Sequence, residues 1–224
     1  MCDPIDDVNL YLRIAKEHNL HIRYVIDTHL HADHISGGRK LSERTGAEYV
    51  LHESAHTRFP FLAAKDGGVL TLGNVSIQVV HTPGHTPEHM SLLVTDQTRA
   101  AEPWFMLTGH TVMVGDAGRT ELASEAETGA RALFKSIQRI KQLADYVEVL
   151  PGAYAGSVCG RALSGKPIST IGFERRFNPA FQINDREDFV RYMLESIPPA
   201  PADAAQIRAT NQNYIDPNAT SFVK

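Results

Sequence analysis

The chain has 224 residues, of which 42% are hydrophobic and 21% charged, values typical of a folded globular protein and not of a disordered chain. The formal net charge of −4 and the lack of a Lys/Arg-rich run argue against nucleic-acid binding. No apolar run is long enough to span a bilayer, the first ten residues carry three aspartates, and there are two cysteines, Cys2 and Cys159. We therefore expect a cytoplasmic protein with no membrane association and no disulfide scaffold.

The first half of the chain alternates helical and strand patterns. Asp6 or Asp7 can cap the first helix, and Gly46 is a typical helix end. The turn pair Gly73-Asn74 between β-branched runs predicts a hairpin. In chain order we predict a helix over 8–18, a strand over 22–26, a helix over 37–46, a strand over 49–51, and hairpin strands over 69–72 and 75–80.

The second half continues the alternation, which predicts an α/β fold. The longest helical pattern has Ala130, Leu133, Ile137, Ile140 and Leu143 on one face. No repeat or linker divides the chain, so we predict one domain over 1–224. Its remaining parts are strands over 91–95, 104–107 and 146–150, a glycine-rich loop over 151–166, helices over 126–144, 170–177 and 185–196, and a C-terminal surface tail over 198–224.

The run Thr28-His-Leu-His-Ala-Asp-His34 carries three histidines and an aspartate directly after a predicted strand. Since alternate residues at a strand end point the same way, His29 and His31 can converge on one point. Asp33 and His34 follow the turn and can face a second point nearby. Imidazoles and carboxylates are the ligands that zinc and iron prefer, so this run predicts a metal site.

A second histidine motif, His81-Thr-Pro-Gly-His85-Thr-Pro-Glu-His89, follows the second strand of the predicted hairpin. Pro83 and Gly84 predict a tight turn that presents His85 as a ligand. We expect His81 and His89 to have structural or ligand-orienting roles, because ligating histidines need hydrogen-bonding partners.

These two motifs and Leu107-Thr-Gly109 resemble the metallo-β-lactamase superfamily. Later segments are similar to its persulfide dioxygenase and glyoxalase II branch, in particular to bacterial persulfide dioxygenases that are often joined to rhodanese domains. The segments that carry this likeness are 115–122, 155–160 and 169–179. The resemblance covers almost the whole chain before the tail. It implies an α/β fold of the αββα sandwich type, a metal centre and a glutathione-type sulfur substrate.

The resemblance also implies where metals bind. In binuclear members the first metal takes the positions of His29, His31 and His85. The second metal takes the positions of Asp33 and His34 and of a later histidine, and an aspartate after Thr-Gly bridges the two. Iron-dependent persulfide dioxygenases hold one metal, at the positions of His29, His85 and that aspartate.

This chain departs from that pattern at two positions. The aspartate is replaced by His110 and the late histidine by Ala153. Only Asp33 and His34 then remain for the second metal, too few for a stable zinc site, and we assign these two residues to catalytic roles. We expect a single metal whose candidate ligands are all imidazoles: His29, His31, His85 and His110.

The role of His110 has two possible forms. It either completes a three-histidine face with His29 and His85, or fails to reach the metal because an imidazole is longer than a carboxylate. A neutral imidazole in place of a carboxylate adds one unit of positive charge to the complex. A three-nitrogen site suits one Fe(II), with zinc as the alternative.

Other residues complete the expected site. Arg161 can pair with a carboxylate of a glutathione-like substrate, and Tyr154, beside the lost ligand position, is also assigned to substrate binding. Asp116 and Arg119 are expected to hold their loop together by hydrogen bonds. Cys159 is not expected to be a nucleophile, because no base motif flanks it.

The predicted function is that of a mononuclear persulfide dioxygenase-like protein that oxidises a glutathione-type persulfide to sulfite and thiol. The alternatives are a zinc-dependent thioester hydrolase of the glyoxalase II type and a non-catalytic relative with a degraded metal site. Family members place two strands before the segment that matches Cys2-Asp-Pro4, which here begins at Met1. We therefore expect a sandwich without its first two strands, whose exposed sheet edge would favour a homodimer.

Overall fold

The computed structural model describes residues 1–157, 159–161, 163–195, 197 and 199–213. The helices are α1 (Val8–Glu17), α2 (Gly38–Thr45), α3 (Ala126–Ile140), α4 (Ile171–Phe177), α5 (Pro179–Gln182), α6 (Arg186–Leu194) and α7 (Ala204–Asn213). The strands are β1 (Tyr24–Ile26), β2 (Glu48–His52), β3 (Leu62–Ala64), β4 (Val69–Leu72), β5 (Val75–His81), β6 (Met90–Asp96), β7 (Phe105–Gly109), β8 (Val112–Met113), β9 (Asp116–Ala117), β10 (Glu148–Pro151) and β11 (Ser169–Thr170). Among the helices of these described ranges, none has the length and apolar character needed to cross a membrane.

The strands form two main sheets. In the first sheet, β1, β2 and β3 run parallel in that order. In the second sheet the order is β11-β10-β7-β6-β5-β4, antiparallel except for the parallel pair of β7 and β10. The predicted hairpin is present, and its register aligns Leu72 with Val75 across the Gly73-Asn74 turn.

Hydrophobic side chains divide the molecule into layers. Val79 of β5 packs with Val50 of the first sheet, so the two sheets face each other across this cluster. The next residue of β5, Val80, points to the opposite face and packs with Leu133 of α3, as the two-residue period of a strand requires. On the other side, Leu41 of α2 packs with the first sheet. The predicted α/β fold with helix, sheet, sheet and helix layers is confirmed.

Several element boundaries differ from the sequence prediction. The long helix ends at Ile140 instead of 144, although Leu143 still packs against the same core. The short strands β3, β8, β9 and β11 carry too few residues to show a period. The last predicted helix extends to 196, which lies outside the described residues, as do 158 and 162 of the glycine-rich loop.

The prediction of a surface tail is wrong for 204–213. These residues form α7, and Thr210 on this helix is buried. Polar side chains of this helix attach it to the body of the protein. Its apolar pattern is therefore weak, and the sequence did not predict a packed helix. Residues 198 and 214–224 of the predicted tail lie outside the described residues.

Candidate metal centre

Three chain segments bring the predicted histidines together at one end of the sheets. His29 and His31 follow β1, His85 follows β5, and His110 follows β7. The turn before His85 requires glycine: Gly84 has a φ of 148°, and a Cβ there would lie 2.4 Å from a side-chain atom of α3. Strand ends and a tight turn therefore position the cluster, as the two sequence motifs predicted.

His29, His85 and His110 form a compact cluster. Each offers a ring nitrogen within 4.8 Å of the other two, and each side chain is about 99% buried. The Nδ1 of His110 lies 3.2 Å from the Nε2 of His85. The imidazole of His110 therefore reaches the other two histidines, and its role as a metal ligand stays a prediction.

Hydrogen bonds on the outer side of the cluster orient two of these rings. The Nδ1 of His85 donates to the carbonyl oxygen of Arg119 at 2.7 Å. The Nδ1 of His29 donates to the Thr28 hydroxyl at 2.9 Å, and that hydroxyl donates to Asp3 at 2.9 Å. Each Nε2 therefore carries a lone pair directed into the cluster. The Nε2 of His29 is buried without a hydrogen-bond partner among the described residues, as expected of a metal-ligand atom.

Electrostatics keep these three rings neutral. Burial lowers the pKa of His29 well below its ordinary value, and the charge of His31 adds to the effect. Burial lowers the pKa of His85 to about 3 and that of His110 to about 4. Neutral imidazole is the form that binds metal. The donor set therefore fits a divalent transition-metal ion such as Fe(II) or zinc, with positions left for other ligands.

His31 is held in a different way. Its Nε2 lies 3.1 Å from Oδ1 of Asp3 and its Nδ1 lies 3.5 Å from Oδ1 of Asp33. Burial alone would lower the pKa of His31, but the Asp3 carboxylate raises it to about 10. The pKa of Asp3, which burial alone would raise, falls to about 2 because of His31. His31 also lies within 4.8 Å of donor atoms of His29 and Asp33, so its predicted ligand role stays a prediction.

Asp33 and His34, the predicted catalytic pair, lie at the accessible side of the cluster. The Nδ1 of His34 lies 3.2 Å from Oδ1 of Asp33, and Oδ2 of Asp33 lies 3.8 Å from the Nε2 of His110. Burial would raise the pKa of Asp33, but hydrogen bonds from His31 and His34 lower it far below the usual range. Asp33 is thus a permanent negative charge beside neutral imidazoles.

His89 and His81 have the structural roles expected of them. The Nε2 of His89 accepts a hydrogen bond from the backbone N–H of His110 at 3.0 Å, and its Nδ1 contacts the hydroxyls of Thr82 and Thr111. His89 therefore positions His110 instead of offering a free nitrogen. The Nε2 of His81 lies 2.9 Å from the carbonyl oxygen of Pro87.

The predicted substrate-binding residues have contrasting environments. Tyr154 is 58% exposed. The guanidinium of Arg161 lies 2.9 Å from the carboxylate of Asp116 and donates to the carbonyl oxygen of Tyr192 at 2.5 Å. Asp116 thus holds its loop through Arg161, while Arg119 pairs with Glu121. The substrate-binding roles of Tyr154 and Arg161 stay predictions.

Sequence reasoning missed residues that reach the centre from distant parts of the chain. Asp3 orients His31 from 28 positions away. Arg208 of α7 pairs with the buried Glu88, and Cys159 lies beside Asp33 and His110. Of these residues, only Glu88 could have been linked to the centre from the sequence, because it lies inside the second histidine motif.

Comparison with known proteins places this arrangement in a family. A family model described as the metallo-beta-lactamase superfamily matches residues 2–152. The chain belongs to this superfamily. The predicted family is therefore confirmed, and this family implies metal ions, for which the histidine cluster is the candidate site.

Relatives occur in both functional groups of the predicted branch. A hydroxyacylglutathione hydrolase of Prochlorococcus marinus strain NATL1A is 28% identical over 163 residues, which are 71% of this chain and 62% of that protein. The human mitochondrial persulfide dioxygenase ETHE1 is 27% identical over 182 residues, 81% of this chain and 65% of that protein. The chain thus spans less than two thirds of the length of either relative.

Solved structures give a closer match. A metallo-beta-lactamase from Staphylococcus aureus subsp. aureus COL has a TM-score of 0.89 and 36% identity, over 95% of this chain and 64% of that one. ETHE1 from Myxococcus xanthus has a TM-score of 0.80 and 29% identity, over 94% of this chain and 86% of that one. Both likenesses extend well past the metal motifs.

Proposed function

We propose that this protein is a mononuclear metal-dependent dioxygenase that oxidises a glutathione-type persulfide to sulfite and thiol. One Fe(II) would be held by His29, His85 and His110. The observation that carries the proposal is the set of three buried, neutral imidazoles whose donor nitrogens lie within 4.8 Å of one another. A bound ferrous ion would supply the redox chemistry, with open positions for sulfur and oxygen.

The residues of the chain have distinct tasks in this proposal. Thr28 and the carbonyl of Arg119 hold His29 and His85 in the tautomers that present Nε2 to the ion. Asp33 offers an anionic oxygen 3.8 Å from the Nε2 of His110. A proton on that nitrogen would face Asp33, and the Nδ1 of His110 would then be free for the ion.

Two observations favour the dioxygenase over a hydrolase. The structure of ETHE1 from Myxococcus xanthus matches 94% of this chain with a TM-score of 0.80. In addition, His110 and Ala153 replace two ligands that the family resemblance implies for a binuclear centre. A zinc thioester hydrolase is therefore the second candidate, with a zinc-activated water as its nucleophile.

We assign substrate recognition to Tyr154 and Arg161. Tyr154 is exposed just after β10, next to Ala153, which packs with Cys159 near the cluster. Arg161 would meet a substrate carboxylate only by giving up part of its contact with Asp116. Tyr154→Ala should raise KM for the persulfide more than it lowers kcat. The matched control is Tyr146→Ala, since Tyr146 is equally exposed before the start of the same strand.

The test combines metal analysis with two assays. Protein purified without oxygen should contain about one equivalent of iron per chain on ligand-count grounds. Loaded protein should consume oxygen and form sulfite from glutathione persulfide without hydrolysing S-lactoylglutathione. His29→Ala should lose metal and activity, whereas His21→Ala, at an exposed histidine, should retain both.

The other outcomes identify the rival functions. Hydrolysis of S-lactoylglutathione by the zinc-loaded protein, without persulfide oxidation, would establish the hydrolase. Folded protein that binds neither metal would be a non-catalytic relative.

A further inference from the structure

The loop that carries the candidate ligands His29 and His31 lies between β1 and α2 and contains neither helix nor strand. Among the described residues, no backbone hydrogen bond joins two members of 29–35 to each other. The backbone groups of such a loop need partners elsewhere, because an unpaired buried group costs free energy. The conformation of the loop therefore depends on groups from other parts of the chain.

One side chain of α7 supplies three of these partners. The Nδ2 of Asn211 donates to the carbonyl oxygen of His31 at 2.9 Å and to that of His34 at 3.0 Å. Its Oδ1 accepts the backbone N–H of Ser36 at 3.0 Å. Asn211 thus holds the backbone on both sides of the turn that presents the side chains of Asp33 and His34.

These three bonds require a carboxamide. Two carbonyl oxygens need two N–H donors, and the N–H of Ser36 needs an acceptor; asparagine offers both on one short side chain. An aspartate at this position keeps the acceptor but turns a carboxylate oxygen towards the two carbonyl oxygens. An alanine leaves all three backbone groups without this partner. Of these side chains, only asparagine can form all three bonds.

Other contacts of α7 fix the position of Asn211. Arg208 lies three positions earlier, on the same side of the helix, and donates to the carbonyl oxygen of Leu30 at 2.6 Å. The carbonyl oxygen of Gln212 accepts the N–H of Arg58 at 3.0 Å. The helix is therefore attached both to the ligand loop and to the segment after β2, and Asn211 reaches the loop from a fixed element.

We propose that Asn211 is a positioning residue of the metal centre. By holding the backbone at His31, His34 and Ser36, it sets the direction in which the loop presents its side chains to the ion. The inference rests on the metal-binding part of the proposed function and not on the reaction. Outer partners of ligating residues change metal affinity by about 10- to 100-fold, and we expect about 10-fold here because Asn211 acts through the backbone.

The experiment compares Asn211→Ala and Asn211→Asp with the wild type. Gln206→Ala is the matched control, because Gln206 is exposed on the same helix. The first measurement is amide hydrogen–deuterium exchange of the metal-free proteins. Both Asn211 variants should exchange faster over 29–37, whereas β6, in the second sheet, should exchange at the wild-type rate.

The second measurement is metal binding at a temperature where every protein is fully folded. Both Asn211 variants should raise the Kd for zinc in calorimetry by about 10-fold. They should also change the visible spectrum of bound Co²⁺, which reports the geometry of its ligands. A loss of global stability alone changes neither quantity in a fully folded protein, so these readouts distinguish positioning from a purely structural role. Gln206→Ala should match the wild type in both.

Other results would overturn the proposal. Exchange that rises equally in all segments, or a zinc affinity and Co²⁺ spectrum that stay at their wild-type values, would show that Asn211 only stabilises the fold. Asn211→Asp keeps the size of the side chain and decides if Asn211→Ala does not fold; if neither variant folds, Asn211 is a structural residue. Wild type that binds neither ion defeats the proposed function, whereas exchange over 29–37 still decides whether Asn211 holds the loop.

Discussion

Replacing Arg208 by methionine should destabilise the protein through the pair that attaches α7 to the histidine motifs. The guanidinium of Arg208 lies 3.1 Å from Oε2 of Glu88 and donates to the carbonyl oxygen of Leu30 at 2.6 Å. Oε1 of Glu88 in turn accepts the N–H of Leu30 at 2.9 Å. Leu30 lies between His29 and His31, so the pair supports the loop that carries two candidate ligands.

The burial of both side chains determines how much unfolding free energy the variant loses. The side chain of Glu88 is 4% exposed and that of Arg208 is 13% exposed, so water cannot solvate the carboxylate once its partner is gone. Removing one partner of a buried pair costs about 3–5 kcal/mol. For a domain of this size such a loss lowers the melting temperature by about 6–20 °C.

The assay is urea unfolding of the metal-free protein at pH 7, with Arg191→Met as the control. Arg191 pairs with Asp188 on the exposed face of α6, so its removal should leave the unfolding midpoint unchanged. A loss below about 1 kcal/mol for Arg208→Met, the value typical of a surface pair, would refute the reasoning.

Acid should reduce the difference in unfolding free energy between wild type and Arg208→Met. Burial would raise the pKa of Glu88, but Arg208 lowers it below its ordinary value. A group with a lowered folded pKa stabilises above its unfolded pKa of 4.5, and this stability is lost as the pH falls through the folded value. In the variant, burial without Arg208 should raise the pKa of Glu88. Acid then protonates this carboxyl and removes the free-energy cost of burying an unpaired charge. A difference in stability that stays constant between pH 7 and pH 4 would contradict this linkage.

Three further predictions concern the same centre. Asp3→Asn should destabilise the metal-free protein below pH 6.5. The unfolding free energies of variant and wild type should converge as the pH rises through about 10, where His31 loses its proton. A difference that stays constant over this range would contradict the Asp3–His31 pair. Gly84→Ala should lower both the melting temperature and the affinity for zinc measured by calorimetry, because the added Cβ meets α3 at 2.4 Å; wild-type values for both would show that the turn tolerates a side chain. Zinc at 100 times its Kd should raise the free energy of unfolding by about 2.7 kcal/mol in urea unfolding, and a chelator should reverse this gain. In His29→Ala the same zinc concentration should raise the free energy of unfolding by less.

The sequence by itself predicted those parts of the molecule that depend on neighbouring residues. The two histidine motifs lie where strand ends and a Pro-Gly turn predicted them, because strand period and turn geometry act over a few positions. The apolar faces of α3 and β5 are likewise local patterns, and they specified the layers of the sandwich. The replacement of a family aspartate by His110 was also visible in the sequence.

The interactions between these groups depend on the tertiary structure. The Asp3–His31 pair, the Arg208–Glu88 pair and the approach of Cys159 to Asp33 join residues 28 or more positions apart. Such contacts depend on how the two sheets and α7 pack, and no short-range pattern encodes that packing. The same holds for the protonation states. Burial keeps the three-histidine cluster neutral while a distant carboxylate keeps His31 charged, and neither burial nor that carboxylate's position can be deduced from the motif alone.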